Sequence, residues 1–324
     1  MKVAILGAAG AIGKSTAAAL AARGDAVRVV GRSAAKLDGF GAAERVAADV
    51  ATADGCARAL AGMDAAVYTL GLPYTKADFA RYPAMMTTCL EAARKAGLKE
   101  LVLITNVYPY GLPQAPLVAE THPREPVSVK GEYRKQQEDL LLAADGTGGL
   151  RTLSLRLPNF YGPDARLSIA DGIFAAAVRG KTANLLGPIT TPQELVFTPD
   201  VGPVVAALLA RPEAFGQAWN FAGPGHLTMK EFAERIYAAA GQPKARMRVA
   251  GPTMLALASP FSSLMRELRE MMYLQAKPIL LDDTKLRALL PGLVKTPYDE
   301  GIRRSVQAYA AEARAAAGGA GAAA

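Results

Sequence analysis

Three glycines, Gly7, Gly10 and Gly13, stand where a short apolar run ends and a helix-forming run begins. In such a turn Gly7 permits the tight reversal, Gly10 lets the backbone approach a pyrophosphate, and Gly13 lets helix and strand pack closely. The helix N-terminus at Gly10, Ala11, Ile12 and Gly13 then offers its N–H groups to phosphate oxygens. A glycine triplet alone also occurs in merely structural turns. The strand before this one, the helix after it and the βα series that follows point to a dinucleotide. After the second apolar run come Arg32 and, one turn later, Lys36. Arg32 can fork onto a 2′-phosphate and Lys36 can add a second charge, whereas a free ribose hydroxyl would be met by Asp or Glu, so NADP(H) is expected to be preferred over NAD(H). Solvated surface charges are the plain alternative for both residues. Further on, Lys130, Arg134 and Glu138 are spaced i, i+4, i+8 and share one helix face. A lysine can exchange protons near neutrality where burial and neighbouring cations lower its pKa, and Arg134 and an oxidised nicotinamide are such cations. A surface helix with Lys130 and Arg134 paired to Glu132 and Glu138 is the alternative.

Holding these groups in place requires alternating elements. Short apolar runs at Val3–Leu6, Val27–Val30, Arg45–Ala48, Ala65–Leu70, Leu101–Ile104 and Thr152–Leu157 read as strands. Between them, Ala11–Ala22, Ala53–Ala61, Phe79–Lys95 and Val129–Ala144 read as helices, with Gly24, Gly62 and Gly97 as stop signals after three of them. Alternating βα units predict an α/β fold, a Rossmann-type doubly wound parallel sheet. After about Asn159 prolines and glycines multiply, with short helices at Met229–Ala240 and Asp283–Leu290. The expected organisation is a dinucleotide-binding domain over 1–160, to which later segments could return, a smaller irregular substrate-binding lobe over 161–314, and a disordered Ala/Gly tail over 315–324.

With two residues between successive glycines, the turn resembles that of the extended short-chain dehydrogenase/reductase family, and the resemblance runs from Met1 to about Tyr309. It implies that Asp49 and Val50 contact the adenine, that Leu70 and Gly71 form a cofactor-side turn, and that Pro158, within Arg156–Pro163, lies beside the nicotinamide. Family members place a Ser or Thr after the fifth strand, where this chain has Thr105 and Asn106, and a Tyr-x-x-x-Lys pair on the next long helix. There the Tyr exchanges the proton and the Lys holds the ribose. That pair is altered here. Taking Tyr133 as the proton donor leaves Gln137 in place of the Lys. Anchoring on Glu138 puts Lys130 at the Tyr position and Arg134 at the Lys position, and this register is preferred. Lys-x-x-x-Arg is similar to the atypical reductases related to isoflavone and phenylcoumaran benzylic ether reductases, in which the Lys serves as acid/base. Tyr133, Tyr108 and Tyr110 remain alternative donors. Downstream, Gln193–Asp200, Leu281–Leu286 and Tyr298–Gly301 resemble later family segments, but Gln193 replaces the Arg that grips a sugar-nucleotide diphosphate in epimerases.

Composition narrows the classes. Of 324 residues, 51% are hydrophobic and 20% charged, which excludes a disordered or collagen-like chain. Two cysteines and two histidines make neither a disulfide framework nor a Cys/His zinc site, so no metal is expected and a reducing compartment fits. The net charge of +8 permits anionic ligands, yet there is no Lys/Arg run of five, and no nucleic-acid partner is expected. The charge-free stretch Val249–Met265 contains Pro252 and Pro260 and falls short of a span, so no membrane partner is expected and the location is read as cytoplasmic. A homodimer is left open. The leading reading is an NADP(H)-dependent oxidoreductase acting on a carbonyl or conjugated carbon of a small molecule. Thr105 and Asn106 would hydrogen-bond its oxygen, and Lys130 or a tyrosine would deliver the proton. A nucleotide-sugar epimerase or dehydratase and a non-catalytic NADP-binding sensor are the alternatives.

Overall fold

Strands made of Val, Ile and Leu without polar alternation need cover on both faces. In the protein, a computed structural model describing residues 1–166 and 168–321, they form a parallel sheet between two helical layers. The first half alternates in chain order: β1 (Lys2–Leu6), α1 (Ala11–Ala22), β2 (Ala26–Gly31), β3 (Glu44–Ala47), α2 (Ala53–Leu60), β4 (Ala65–Tyr68), α3 (Lys76–Phe79), α4 (Tyr82–Lys95), β5 (Glu100–Asn106), α5 (Val129–Ala143) and β6 (Arg151–Leu157). The single helix expected over Phe79–Lys95 is two, because the chain breaks at Ala80–Arg81 and restarts with Pro83 in the first turn of α4, where a missing N–H costs nothing.

The second half continues with β7 (Asn159–Tyr161), α6 (Asp171–Ala177), β8 (Ala183–Leu186), β9 (Pro192–Gln193), β10 (Leu195–Phe197), α7 (Thr198–Leu209), β11 (Gln217–Asn220), β12 (Leu227–Thr228), α8 (Met229–Ala239) and β13 (Met247–Ala250). Then come α9 (Pro252–Ala258), α10 (Ser263–Glu270), α11 (Tyr273–Ala276), α12 (Thr284–Leu289) and α13 (Tyr298–Gly321). The sheet runs β3-β2-β1-β4-β5-β6-β11, every pair parallel. Its seventh strand thus comes from beyond residue 160.

One face packs Val3, Ile5, Val102 and Leu155 against α1 and α7. The other packs Leu6, Tyr68 and Leu103 against α2, α4 and α5. Gly202 lets α7 approach α1 so closely that a Cβ there would lie 2.1 Å from the Ser15 carbonyl oxygen. The smaller lobe has its own aromatic core of Tyr161, Phe174, Phe197, Phe232 and Tyr298. The tail expected to be disordered over 315–324 is instead helical as far as Gly321, since alanine is the strongest helix former, and residues 322–324 lie outside the described residues. No helix among the described residues is long and apolar enough to cross a membrane.

Candidate active site

In a doubly wound sheet, ligands bind beyond the carboxyl ends of the strands, where the strand order reverses. Here that edge gathers the Gly7 turn after β1, Arg32 after β2, Leu70 after β4, Asn106 at the end of β5 and Pro158 after β6. Gly7 has φ +94°, and a Cβ would press on Thr69 and Leu70 at 3.1 Å. At Gly13 a Cβ would lie 2.6 Å from Ala8 Cα and the Gly7 carbonyl oxygen, so only glycine lets α1 seat on β1. Gly10 differs: a Cβ there would meet only the Gly7 carbonyl oxygen, at 3.5 Å. Its outer side is open. Gly10 caps α1 without a side-chain partner, and no acidic residue occupies the first turn, so the helix itself supplies nothing that offsets its positive end. This is a cradle that fits a pyrophosphate.

Arg32 and Lys36 are exposed, and no described residue pairs with either. Asp49 is exposed and accepts the Ala51 N–H through Oδ1 at 3.0 Å, while Val50 is buried beneath it. Leu70 lines Gly7, and Gly71 faces open space. Pro158 lines a narrow cleft towards the second lobe together with Val107, Asn159, Gln193, Leu274 and Ile279.

The face shared by Lys130, Arg134 and Glu138 points inward, and all three are buried. Among the described residues the groups that bind the Lys130 ammonium are carboxylates rather than cations, and neither Glu132 nor Glu138, the partners of the alternative surface-helix reading, pairs with it. That ammonium is held by Glu267 and by Glu270 at 3.0 Å, both on α10, and lies 4.9 Å from the centroid of the Tyr74 ring. Two carboxylates thus enclose a group whose expected role required cations. Arg134 turns towards β5, donating to Thr105 Oγ1 at 2.9 Å and to Gln137 Oε1 at 2.6 Å, and stacks over Tyr82. Thr105 therefore faces Arg134. Asn106 is half-buried and its Oδ1 accepts the Tyr108 N–H at 3.2 Å; no described residue accepts from its amide NH₂. Glu138 pairs with Arg156 at 2.8 Å and with Arg124 at 3.0 Å. Tyr110 donates to Asn220 at 2.8 Å in the same buried network, which makes it a structural tyrosine. Tyr133 is half-buried on α5 and has no polar partner among the described residues.

Tyr108, an alternative donor in the sequence, meets neighbours that gave no signal there. Tyr74 and Tyr108 bring their hydroxyls within 3.4 Å of each other, and Tyr273 lies nearby. Burial pushes Tyr74 and Tyr108 above the ordinary phenol range and Tyr273 to about 12, so all three are protonated at neutral pH. Glu267 is drawn below the usual carboxylate range: burial opposes this, but the Lys130 ammonium and the Lys76 N–H prevail. Across the cleft, Gln193 is 2% exposed and donates to the Leu274 carbonyl at 3.3 Å. Glu194 is raised by burial, and it in turn raises His226, whose Nε2 lies 3.7 Å away. Lys76, Tyr74, Glu267, Glu270 and Tyr273 fall in loops or short helices far apart in sequence, where spacing carries no information.

The profile of the NAD dependent epimerase/dehydratase family matches residues 3–222. A 3 beta-hydroxysteroid dehydrogenase/Delta 5-->4-isomerase of Mycobacterium tuberculosis is 25% identical over 271 residues, 78% of this chain and 73% of that protein. Among solved structures, a dTDP-glucose 4,6-dehydratase from Streptomyces venezuelae with NAD bound superposes with a TM-score of 0.78 at 22% identity, covering 95% of this chain and 97% of that one. An epimerase from Methanothermobacter thermautotrophicus reaches 0.83 at 17% identity, covering 97% and 93%.

Proposed function

The chain belongs to the NAD dependent epimerase/dehydratase family, and on that premise we propose that it is an NADP(H)-dependent oxidoreductase of the extended short-chain type. Its substrate is a small apolar ketone or secondary alcohol. The observation that carries this reading is Gln193: where the family resemblance places an Arg on a sugar-nucleotide diphosphate, this chain has a buried neutral amide already engaged by the Leu274 carbonyl, in a cleft where Val107, Leu274 and Ile279 stand beside Asn159 and Glu194 and, among the described residues, no cation lines the wall. The hydroxysteroid dehydrogenase relative, matched over most of the chain, supports an apolar hydroxyl or carbonyl substrate. The NAD named with the dehydratase supports a dinucleotide at the glycine turn, while unpaired Arg32 and Lys36 support its 2′-phosphorylated form.

When bound, the nicotinamide supplies or accepts the hydride. The residues of the chain do the rest. The Gly7–Gly13 turn holds the pyrophosphate, and the Asn106 amide donates to the substrate oxygen and polarises the carbonyl. Tyr108 gives that oxygen its proton as the carbonyl becomes an alcohol, and the Tyr74 hydroxyl and the Arg134 charge, which oppose the effect of burial on its phenol, stabilise the phenolate left behind. Lys130 and Arg134 act as positioning residues, the first beneath Tyr74 and the second behind Thr105.

The test is NADPH oxidation with a panel of hydrophobic ketones beside UDP-glucose interconversion. Turnover of a ketone, a fall in kcat of roughly 10²–10⁴ in Tyr108→Phe and unchanged cofactor affinity in that variant are expected. UDP-glucose turnover, or cofactor binding with no turnover on any ketone, overturns the reading.

A further inference from the structure

Between Gly241 and Leu281 the chain carries six cations and two acids. The two acids are Glu267 and Glu270, and both are turned inward. Glu267 takes the Lys76 N–H and the Lys130 ammonium, and Glu270 takes Lys130 and the Val129 N–H at 2.7 Å. The cations remain outside. Arg266 and Arg269 are exposed and donate to neutral oxygens of Ser259 and Pro260, at 3.2 to 3.4 Å, and among the described residues no carboxylate pairs with either.

Their partners place both guanidinium groups beside the turn at Ser259–Ser262, from which Phe261 projects with 90% of its surface exposed. On α9 just before it, Leu257 is 73% exposed and Met254 48%, while Leu255 is fully buried. Met254 and Leu257 stand i, i+3 on α9, on the side away from Leu255, and Phe261 projects from the turn that follows the helix. Single exposed leucines are ordinary, but three large exposed apolar side chains within eight residues, beside two arginines that no described carboxylate pairs with, on a segment whose acids are sequestered, are not.

We propose that this outer face of α9 and α10 docks on an anionic lipid bilayer, lying in the plane of the interface. Phe261, Leu257 and Met254 enter the acyl boundary while Arg266 and Arg269 meet the anionic headgroups. This is a surface contact, compatible with the lack of any helix able to span. The charge pattern selects a negatively charged surface over a second copy of this chain, since two copies of the face would bring like charges together.

The full chain is sedimented with phosphatidylcholine vesicles and with vesicles holding about 30 mol % phosphatidylglycerol, at about 50 mM and about 500 mM salt. Expected are binding to the anionic vesicles roughly tenfold above the neutral ones, loss of most of it at high salt, and a fall of roughly tenfold or more in Leu257→Ser/Phe261→Ser. Both positions are exposed, so the variant keeps its fold, checked by circular dichroism. Equal binding to the two vesicles, unchanged binding of the folded variant, or a dimer in solution that the variant dissociates would overturn the proposal. These readouts do not depend on turnover, so they stand or fall separately from the proposed reaction.

Discussion

Replacing Lys130 by Met removes a fully buried ammonium from between two carboxylates whose side chains are only 16% and 12% exposed. Breaking a wholly buried pair costs about 3–5 kcal/mol, because the remaining charge is left without a partner. Here the cost is smaller. Glu267 and Glu270 keep some access to water, the N–H groups of Lys76 and Val129, and the Lys76 ammonium 3.7 Å from Glu270, so about 2–3 kcal/mol is the expected loss. It falls on one part of the molecule, because the pairs join α10 to α3 and α5 rather than crossing the sheet. Local opening of the α10–α11 segment should therefore rise roughly 30- to 150-fold. Amide hydrogen exchange resolved by peptide should show faster exchange over residues 263–276 and no change in β1, β4 or β5. Neutralising the acids together with the lysine, in Lys130→Met/Glu267→Gln/Glu270→Gln, should recover most of the protection. Acid should mimic the lesion. Since the Glu267 carboxyl is held below its ordinary value near 4.5, its contribution is complete above about pH 4.5 and is lost as pH falls through the lowered value. Unchanged exchange over 263–276 in Lys130→Met would refute the latch. If kcat fell by 10²–10⁴ with that protection intact, Lys130 would be the acid/base that the lysine-arginine register implies.

Gly10→Val should fold normally and lose cofactor affinity by about tenfold or more, read by circular dichroism and calorimetric titration, because its Cβ enters the open cradle; unchanged affinity would make the turn purely structural. Gly13→Ala should instead lower stability by roughly 1–3 kcal/mol in denaturant unfolding, because its Cβ meets backbone at 2.6 Å. Arg32→Ala should weaken NADP(H) about tenfold, near 1.4 kcal/mol, and leave NAD(H) unchanged, so that equal losses for both would remove the assigned preference. His226 is raised above 6.5 by Glu194, so its stabilising contribution is complete below that value and fades as pH rises through the raised one; His226→Gln should flatten the stability profile over that range.

The fold was legible because its signals are local. Apolar runs such as Val3–Leu6 and Leu101–Ile104 are long enough to mark buried strands, and Gly7 and Gly13 each answer a steric demand of the turn, while Gly10 leaves its outer side open. The residues expected to meet a cofactor lie at or near strand ends, which is why short-range signals single them out. The catalytic side is not marked in that way. The spacing of Lys130 and Arg134 correctly places them on one buried face, yet spacing cannot tell what that face meets. Glu267 and Glu270 arrive from 137 and 140 residues away and reverse the expected electrostatics of Lys130. Tyr74 likewise reaches Tyr108 from a loop without periodicity.

The late seventh strand bears on how the chain is made. When residue 160 leaves the ribosome, the sheet has one edge at β6 still waiting for β11 and one face still waiting for α7, whose Gly202 must lodge against Ser15. The Gly202–Ser15 contact spans 187 positions and the β6–β11 pairing, Gln217 opposite Leu153, spans 64, and loop closure over such separations slows folding. The first half therefore lacks one strand and one covering helix of its own sheet until about residue 220 has emerged, and an open edge of that kind is prone to wrong pairing. A fragment ending at Tyr161 would aggregate, whereas one ending beyond Phe221 would carry every strand of the sheet.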